Sequence, residues 1–361
     1  MKNKKLLLVG GGSGGHFVPI FLLAQKIKSI DPRLRIKIIG SGTEIERAYF
    51  SKVAGYSSIV TGKFHRYKKY KNIVELIKLF WGLLQSLGIL LSYRPDVIFS
   101  KGGYASVPII FWAKLFRRPY FIHESDIVMG KSNLYAADKA IKVYTGFPES
   151  FYDLSNAHYV GQMIKLPPKN DVKIFKNDLP TVVVLGGSQG AQSLNKLIYQ
   201  LLGEILPKYN LFHQVGRENL IEARNIFEQL SIEFQEHYKI ADFLHYDEKP
   251  NITDILSSAD VVVCRAGATT MAETAVSGKP MILVPYIYAS GDHQYKNAMA
   301  ISSSGGAIVI TEDKILEELA GTIGLILSEN DRARKMTDAA NKFFKSDAIE
   351  NIANDLINHK E

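Results

Sequence analysis

Short runs of aliphatic and β-branched residues recur along this chain, most of them closed by glycine or a polar turn and followed by a stretch long enough for a helix. Lys5 to Val9, Arg35 to Gly40, Asp96 to Ser100, Tyr120 to His123, Val143 to Thr145 and Ala157 to Val160 read as strands of a first half. Thr181 to Leu185, Leu211 to Gln214, Phe243-Leu244, Val261 to Cys264 and Met281 to Pro285 read as strands of a second. Runs that are apolar at nearly every position suit strands covered on both faces, which is the situation in a parallel sheet. The pattern predicts an α/β protein of two Rossmann-like doubly wound domains facing each other across a cleft. Gly161 and Pro167-Pro168 mark a linker, giving an N-terminal domain over 1–161 and a C-terminal domain over 162–341. In the remaining segment, 342–361, Ile349, Ile352, Ala353 and Ile357 form one apolar helix face, expected to pack back on the N-terminal domain.

The stretch from Ala259 to Gln294 holds the clearest βαβ unit. The strand Val261 to Cys264 turns through Gly267, where the lack of a side chain permits positive φ, into a helix starting near Thr269 or Thr270. Gly278-Lys279-Pro280 stops that helix, and a strand follows at once. Its N-terminus therefore lies at the carboxyl edge of a sheet, where unpaired N–H groups and the positive dipole end favour a phosphate. Glu273, about a turn inside, is placed to accept from a ribose hydroxyl; equally, Thr270-x-x-Glu273 is the pattern of a capping box.

Other loops leave the carboxyl ends of predicted strands, where α/β sheets place ligands. Gly10, Gly12 and Gly15 satisfy the dinucleotide fingerprint, but the second strand ends in Ser41-Gly42-Thr43 with no acid poised for a ribose, which argues against a dehydrogenase. What remains is bare backbone able to approach a phosphate or sugar, with His16 at its end. A helix N-terminus disfavours imidazolium, so His16 either serves as a proton acceptor or merely starts a helix. The loops Lys101 to Ser106 and His123 to Asp126 follow, the second with Glu124 as a carboxylate at the edge or a helix cap, and Gly186 to Ala191 repeats the glycine turn in the second half.

Composition sharpens this picture in three ways. The chain has 361 residues, 46% of them hydrophobic, enough for two cores, and its first apolar run is too short for a secretory signal. The lone Cys264 excludes an internal disulfide framework and reads as a buried thiol in a reducing cytoplasm. The net charge of +8 is unevenly spread: residues 1–160 carry 24 basic against 10 acidic residues, the remainder 20 against 26. Such polarity indicates an anionic partner for the first half. Phe64, Arg66, Tyr67, Lys68, Lys69, Tyr70 and Lys71 precede Ile73, Ile77, Phe80 and Trp81, a combination suited to resting on an anionic membrane surface, or to a solvated face. The uncharged run Leu79 to Tyr93 is shorter than the ~20 residues needed to span a bilayer, and Leu83 to Leu91 reads as a buried helix. No nucleic-acid module is recognisable.

Taken as an ordered set, GGGSGGH-x-x-P, KGGYASVP, HESD, GGSQGAQSLN and CRAGATTMAE followed by DHQYKNA resemble the motifs of the peptidoglycan N-acetylglucosaminyltransferase family. The resemblance implies the two-domain glycosyltransferase fold called GT-B, at the cytoplasmic side of the cell membrane. It implies inverting transfer of N-acetylglucosamine from UDP-N-acetylglucosamine to the 4-hydroxyl of N-acetylmuramic acid in undecaprenyl-diphospho-muramoyl-pentapeptide. By the same resemblance, Ser13, Gly14 and Gly15 contact the donor's sugar side, and Tyr104 lies in an acceptor loop. Ser188 holds the diphosphate and Leu244 the uracil. Ala268, Thr269, Thr270, Met271, Ala272 and Glu273 take diphosphate and ribose, and Gln294 takes the transferred sugar. The leaving diphosphate would be stabilised by the amides of Ala268 to Thr270. The single base that inversion needs would be His16, with Glu124 second. No cofactor is implied, and the chain has no Asp-x-Asp pair for a tightly held metal. Two positions depart from the family pattern: Asp126 replaces an amide that would contact the donor sugar, and Lys165 replaces an arginine fork near the diphosphate. A UDP-N-acetylglucosamine 2-epimerase, or a membrane-docked UDP-sugar-binding subunit without catalysis, are the alternatives.

Overall fold

The computed structural model describes residues 4–62, 72–167, 172–187, 190–246 and 248–359. The basic-aromatic cluster from Phe64 to Lys71 and the proposed diphosphate residue Ser188 lie outside them. The chain divides into two compact units, Met1–Met163 with Asp347–Glu361, and Ile164–Ser346.

In the first unit a seven-stranded sheet runs in the order β3-β2-β1-β4-β5-β6-β7. Its strands are β1 (Lys5–Val9), β2 (Arg35–Gly40), β3 (Gly55–Ser58), β4 (Val97–Ser100), β5 (Tyr120–Glu124), β6 (Val143–Thr145) and β7 (Ala157–Tyr159). All neighbours pair in parallel. The connecting helices are α1 (Gly14–Ile30), α2 (Glu44–Phe50), α3 (Asn72–Tyr93), α4 (Ser106–Leu115) and α5 (Lys131–Ala137).

In the second unit β8 (Thr181–Leu185), β9 (Asn210–Gln214), β10 (Tyr238–Ala241), β11 (Val261–Cys264), β12 (Met281–Leu283) and β13 (Ile308–Val309) form a six-stranded parallel sheet, ordered β10-β9-β8-β11-β12-β13. Helices α6 (Gln192–Ile205), α7 (Leu220–Glu228), α8 (Ile232–His237), α9 (Ile252–Ser257), α10 (Ala268–Val276), α11 (His293–Ser303), α12 (Ile315–Ser328) and α13 (Asn330–Phe343) cover it. The core strand Val261-Val262-Val263 is fully buried, each side chain worth roughly 1.5–3 kcal/mol of burial. In each sheet the strand order reverses beside the first strand, between β1 and β4 and between β8 and β11. A doubly wound sheet opens a ligand crevice at that point.

The last helix, α14 (Ala348–Asn358), belongs to the first unit and packs on α1. It buries Ala348, Ile352, Ala353 and Leu356, a face rotated slightly from Ile349 and Ile357. Asp355 receives Lys142 Nζ (2.8 Å) and Tyr144 Oη (2.6 Å), and Lys4 donates to the carbonyl of Ile357 (2.9 Å), a cation at the helix C-terminus.

Several local expectations are corrected. Phe243-Leu244 is not a strand; the strand beside β9 is β10, whose edge position lets Lys239 reach solvent. Strand β3, rich in Gly and Ser, and the two-residue β13 escaped the hydrophobic pattern. Helix α3 is not a buried helix. It runs 22 residues, and by length and composition Ile73–Tyr93 could cross a membrane. Yet it is tied to its own unit along one narrow line: Gly82, Ser86 and Leu90 are buried, Gly82 lies against the Val60 carbonyl, and Trp112 Nε1 of α4 donates to Leu83 O (2.8 Å). Ile73, Ile77, Phe80, Trp81 and Leu84 face outward, with Trp81 56% exposed.

Candidate active site

At the switch point of the first unit the turn after β1 meets the turn after β4. A Cβ on Gly10 would lie 3.1 Å from Lys101 Cβ, and one on Gly103 would lie 3.0 Å from Gly11 O, so glycine lets the two turns approach. Ser13 caps α1 in an extended conformation without using its hydroxyl on the helix. Its carbonyl accepts the amides of His16 (2.9 Å) and Phe17 (3.0 Å), which fixes the first turn Gly14-Gly15-His16.

His16 Nδ1 lies 3.2 Å from the main-chain oxygen of Lys101. A carbonyl only accepts, so Nδ1 carries the proton and Nε2 keeps its lone pair. Burial, then the Lys101 cation, lower the ring's pKa to about 4, partly offset by the Lys101 carbonyl and Asp126. The ring is therefore neutral at physiological pH.

Lys101, 1% exposed, donates through Nζ to Ser125 Oγ (2.5 Å). Burial lowers its pKa while Glu124 and Asp126 raise it. Glu124 is hydrogen-bonded through both carboxylate oxygens. Oε1 accepts the Asp126 amide (3.0 Å), and Oε2 accepts the Gly130 amide (2.8 Å) and Asn133 Nδ2 (3.0 Å). Gly130 caps α5, so Glu124 anchors the loop and the start of that helix. Its pKa is raised, first by burial and then by Asp126. Asp126 presents its carbonyl to Tyr152 Oη (2.8 Å). His123 is wholly buried and donates from Nε2 to Gly161 O (2.9 Å); burial holds it neutral. Tyr104 is exposed on the turn before α4.

In the second unit the turn after β8 packs close: a Cβ on Gly190 would meet Val215 O at 2.5 Å. The turn after β11 leads into α10 with Gly267 as cap, at φ −74°, so no positive φ is needed there. Met271 N is the first amide to bond back, to Gly267 O (3.0 Å). The amides of Ala268, Thr269 and Thr270 thus lie outside the helix ladder. Met271 and Ala272 are wholly buried, and their side chains belong to the core rather than to a ligand surface. The capping-box alternative is excluded: Glu273 instead accepts Tyr246 Oη at 2.9 Å. Glu273 is 2% exposed, and burial pushes its pKa up to about 8 against the opposing Tyr246 hydroxyl.

Tyr246 also accepts, on its carbonyl, the ammonium of Lys165 (2.6 Å). Leu244 is buried, leaving its main chain to make any polar contact. Gln294 Oε1 accepts the Tyr286 amide (3.0 Å) at the start of α11. Arg265, also buried, donates to Ser193 Oγ (2.8 Å), to Val284 O (3.2 Å) and to Glu312, with the Tyr286 ring 5.4 Å from its guanidinium. Cys264 is buried with its thiol pushed up to about 12, an inert core group. Among the described residues no cluster of His, Cys, Asp and Glu could hold a metal ion.

The N-terminal domain model of glycosyltransferase family 28 matches residues 6–145, and the C-terminal domain model of that family matches residues 181–352. The UDP-N-acetylglucosamine–N-acetylmuramyl-(pentapeptide) pyrophosphoryl-undecaprenol N-acetylglucosamine transferase of Clostridium kluyveri is 32% identical over 98% of both chains. The chain belongs to the MurG family of glycosyltransferases. Its fold is accordingly similar to the crystal structure of Acinetobacter baumannii MurG, with a TM-score of 0.73, 19% identity and coverage of 99% and 100% of the two chains. A crystal structure of a UDP-N-acetylglucosamine 2-epimerase shares the fold at TM-score 0.65 and 11% identity, covering 99% of this chain and 96% of that one.

Against the MurG pattern, the two departures sit in defined places. Asp126 lies in the loop that Glu124 and Lys101 hold, and Lys165 is engaged with Tyr246. Lys101, Tyr246 and Arg265 were not singled out from sequence. A lysine directly after a buried strand is a signal for the first; nothing local marks the tyrosine, whose partner is 27 residues away.

Proposed function

We propose that this chain transfers N-acetylglucosamine from UDP-N-acetylglucosamine to the 4-hydroxyl of N-acetylmuramic acid in undecaprenyl-diphospho-muramoyl-pentapeptide, with inversion. End-to-end agreement with a transferase of that name carries the reading. In the first unit, His16 Nε2 is unprotonated and oriented by the Lys101 carbonyl, the arrangement a base needs to take the proton of an attacking hydroxyl. Ser13, Gly14, Gly15 and Tyr104 line the turns around it, with Asp126 on the neighbouring loop. In the second unit, the amides of Ala268, Thr269 and Thr270 meet the charge that develops on UDP as the glycosidic bond breaks. Glu273 takes a ribose hydroxyl, Leu244 the uracil through its main chain, Gln294 the sugar, and Ser188 and Lys165 the diphosphate. The epimerase alternative rests on a shared fold alone.

The enzyme would work as a peripheral protein at the cytoplasmic face of the membrane, with the exposed stripe of α3 resting on anionic lipid. The test is direct. Incubated with labelled UDP-N-acetylglucosamine and a short-chain lipid-linked muramoyl-pentapeptide, the protein should yield acceptor heavier by one N-acetylhexosamine, and free UDP. Deuterium incorporation at carbon 2 of the sugar without acceptor would instead mark an epimerase. Donor binding with no transfer to any acceptor would mark a binding subunit.

A further inference from the structure

One wholly buried carboxylate of the first unit has no part in the chemistry above. Glu46 lies in the first turn of α2, where its amide bonds to the Thr43 side chain (3.4 Å). Thr43-x-x-Glu46 has the spacing of a capping box, in which the glutamate would reach back to the Thr43 amide. It reaches further. Oε1 accepts the Gly12 amide (2.6 Å) and Ser41 Oγ (2.7 Å). Oε2 accepts the amides of Ser41 (2.8 Å) and Gly42 (3.0 Å) and the hydroxyl of Tyr56 (3.0 Å). All five partners are donors, an environment that only an acceptor on both oxygens satisfies.

The glycines around it are explained by this carboxylate. A Cβ on Gly11 would stand 2.6 Å from Oε1, and one on Gly40 would come closer still to Oε2. In a dinucleotide-binding turn the corresponding bare backbone makes room for a ligand's phosphate. Here it makes room for the chain's own anion, and the Gly12 amide is already taken. Gly12, held at φ +99°, leads directly into Ser13, whose carbonyl bonds the His16 amide.

We propose that Glu46 is a positioning residue of the transfer reaction: an internal anion that fills the crevice beneath the first glycine turn, keeps a ligand phosphate out of it, and fixes the backbone that presents His16. The proposal rests on the reading of His16 as the base. Glu46→Gln is the informative variant. It keeps the shape but turns an NH2 group toward one set of donors; if it faces the Oε1 side, Ser41 can rotate to accept but the Gly12 amide cannot.

In the full-length enzyme Glu46→Gln should lower kcat by about 10- to 100-fold, since small misplacements of a reacting group have such effects. The KM for UDP-N-acetylglucosamine should change less than kcat, because the diphosphate, ribose and uracil contacts assigned above lie in the other unit and only the sugar-side contacts of Ser13, Gly14 and Gly15 adjoin the turn. Amide exchange across 11–17 should quicken, and the His16 ring titration should move. Unchanged kcat and exchange, or a loss of kcat with exchange and ring titration as in the parent, would overturn the proposal. Should that variant fail to fold, Tyr56→Phe removes one donor from Oε2 and should shift exchange and kcat in the same direction; parent values for both would equally overturn it. His16→Gln with full activity would sink the base reading instead, while exchange across 11–17 would still decide whether Glu46 holds the turn.

Discussion

His16 and Lys101 are coupled twice: the imidazole donates from Nδ1 to the lysine's main-chain oxygen at 3.2 Å, and the lysine's buried ammonium helps to keep the same ring uncharged. One residue thus fixes the tautomer of the candidate base and adds to burial, the larger cause, in holding it neutral, and it does so from the far side of the switch point, at the end of β4. The neighbouring carboxylates of Glu124 and Asp126 oppose the lowering that burial imposes on that ammonium.

The first expectation concerns pH. A free histidine would impose an acid limb near its ordinary pKa, whereas His16 with a pKa of about 4 remains a base well below that. The acid limb of kcat/KM should therefore lie near pH 4–5, unless another group titrates first, and His16→Gln should lower kcat by about 10²- to 10⁴-fold. The stability linkage has a definite sign. The unfolded ring binds a proton below pH ~6.5 and the folded ring does not until ~4, so His16 costs stability as pH falls through that window. Denaturant titrations of parent and His16→Gln should diverge between those values and run parallel above them.

Glu273 gives the opposite case. Its folded pKa of about 8 lies above the ordinary carboxyl value, so between pH ~4.5 and ~8 the folded state holds a proton that the unfolded state has lost, and stability falls as pH rises. Glu273→Gln keeps an acceptor for Tyr246 without that penalty. It should be more stable than the parent at pH 8 by about 1–3 kcal/mol and no more stable at pH 4. The same variant should bind UDP more weakly, measured calorimetrically, if Glu273 takes the ribose. Unaltered affinity would remove that role.

What could be read from the sequence follows what is local. Strands such as Val261 to Cys264 are buried on both faces, so their residues are apolar throughout and the pattern betrays them. Glycine turns at sheet edges were legible for the same reason, although the cause of one of them was not: the room at Gly11 and Gly40 is taken by Glu46, and only the fold brings that carboxylate there. Met271 and Ala272 sit inside a ligand motif yet face the core, since a helix shows a ligand at its edge only its first amides. The sequence offers Glu124 as a second base or a helix cap, but not the contacts that hold it. Its three N–H partners come from residues up to nine positions away, a loop geometry that no periodicity encodes.

Removing the buried cation should expose what it balances. Lys101→Met removes the buried cation that the charges of Glu124 and Asp126 attract, so the variant should lose about 3–5 kcal/mol of stability. In the same variant the His16 ring should titrate closer to its ordinary value, because the second cause of its lowering is gone. Nuclear magnetic resonance of the ring protons checks this without reference to activity.

The membrane reading is testable on α3 separately from the chemistry. Ile77, Phe80 and Trp81 are each more than half exposed, whereas Gly82, Ser86 and Leu90 hold the helix to its unit. Replacing the three outward residues by serine removes little packing, so thermal stability should stay within about 1 kcal/mol of the parent. Each loses the apolar area that would enter the lipid boundary, and the summed transfer energy is several kcal/mol even if burial is partial. Sedimentation with vesicles containing phosphatidylglycerol should then fall by at least about 100-fold in affinity. Transfer to a water-soluble acceptor analogue should persist. Vesicle binding at the parent's level, in a triple variant that still folds, would place the membrane contact elsewhere on the chain.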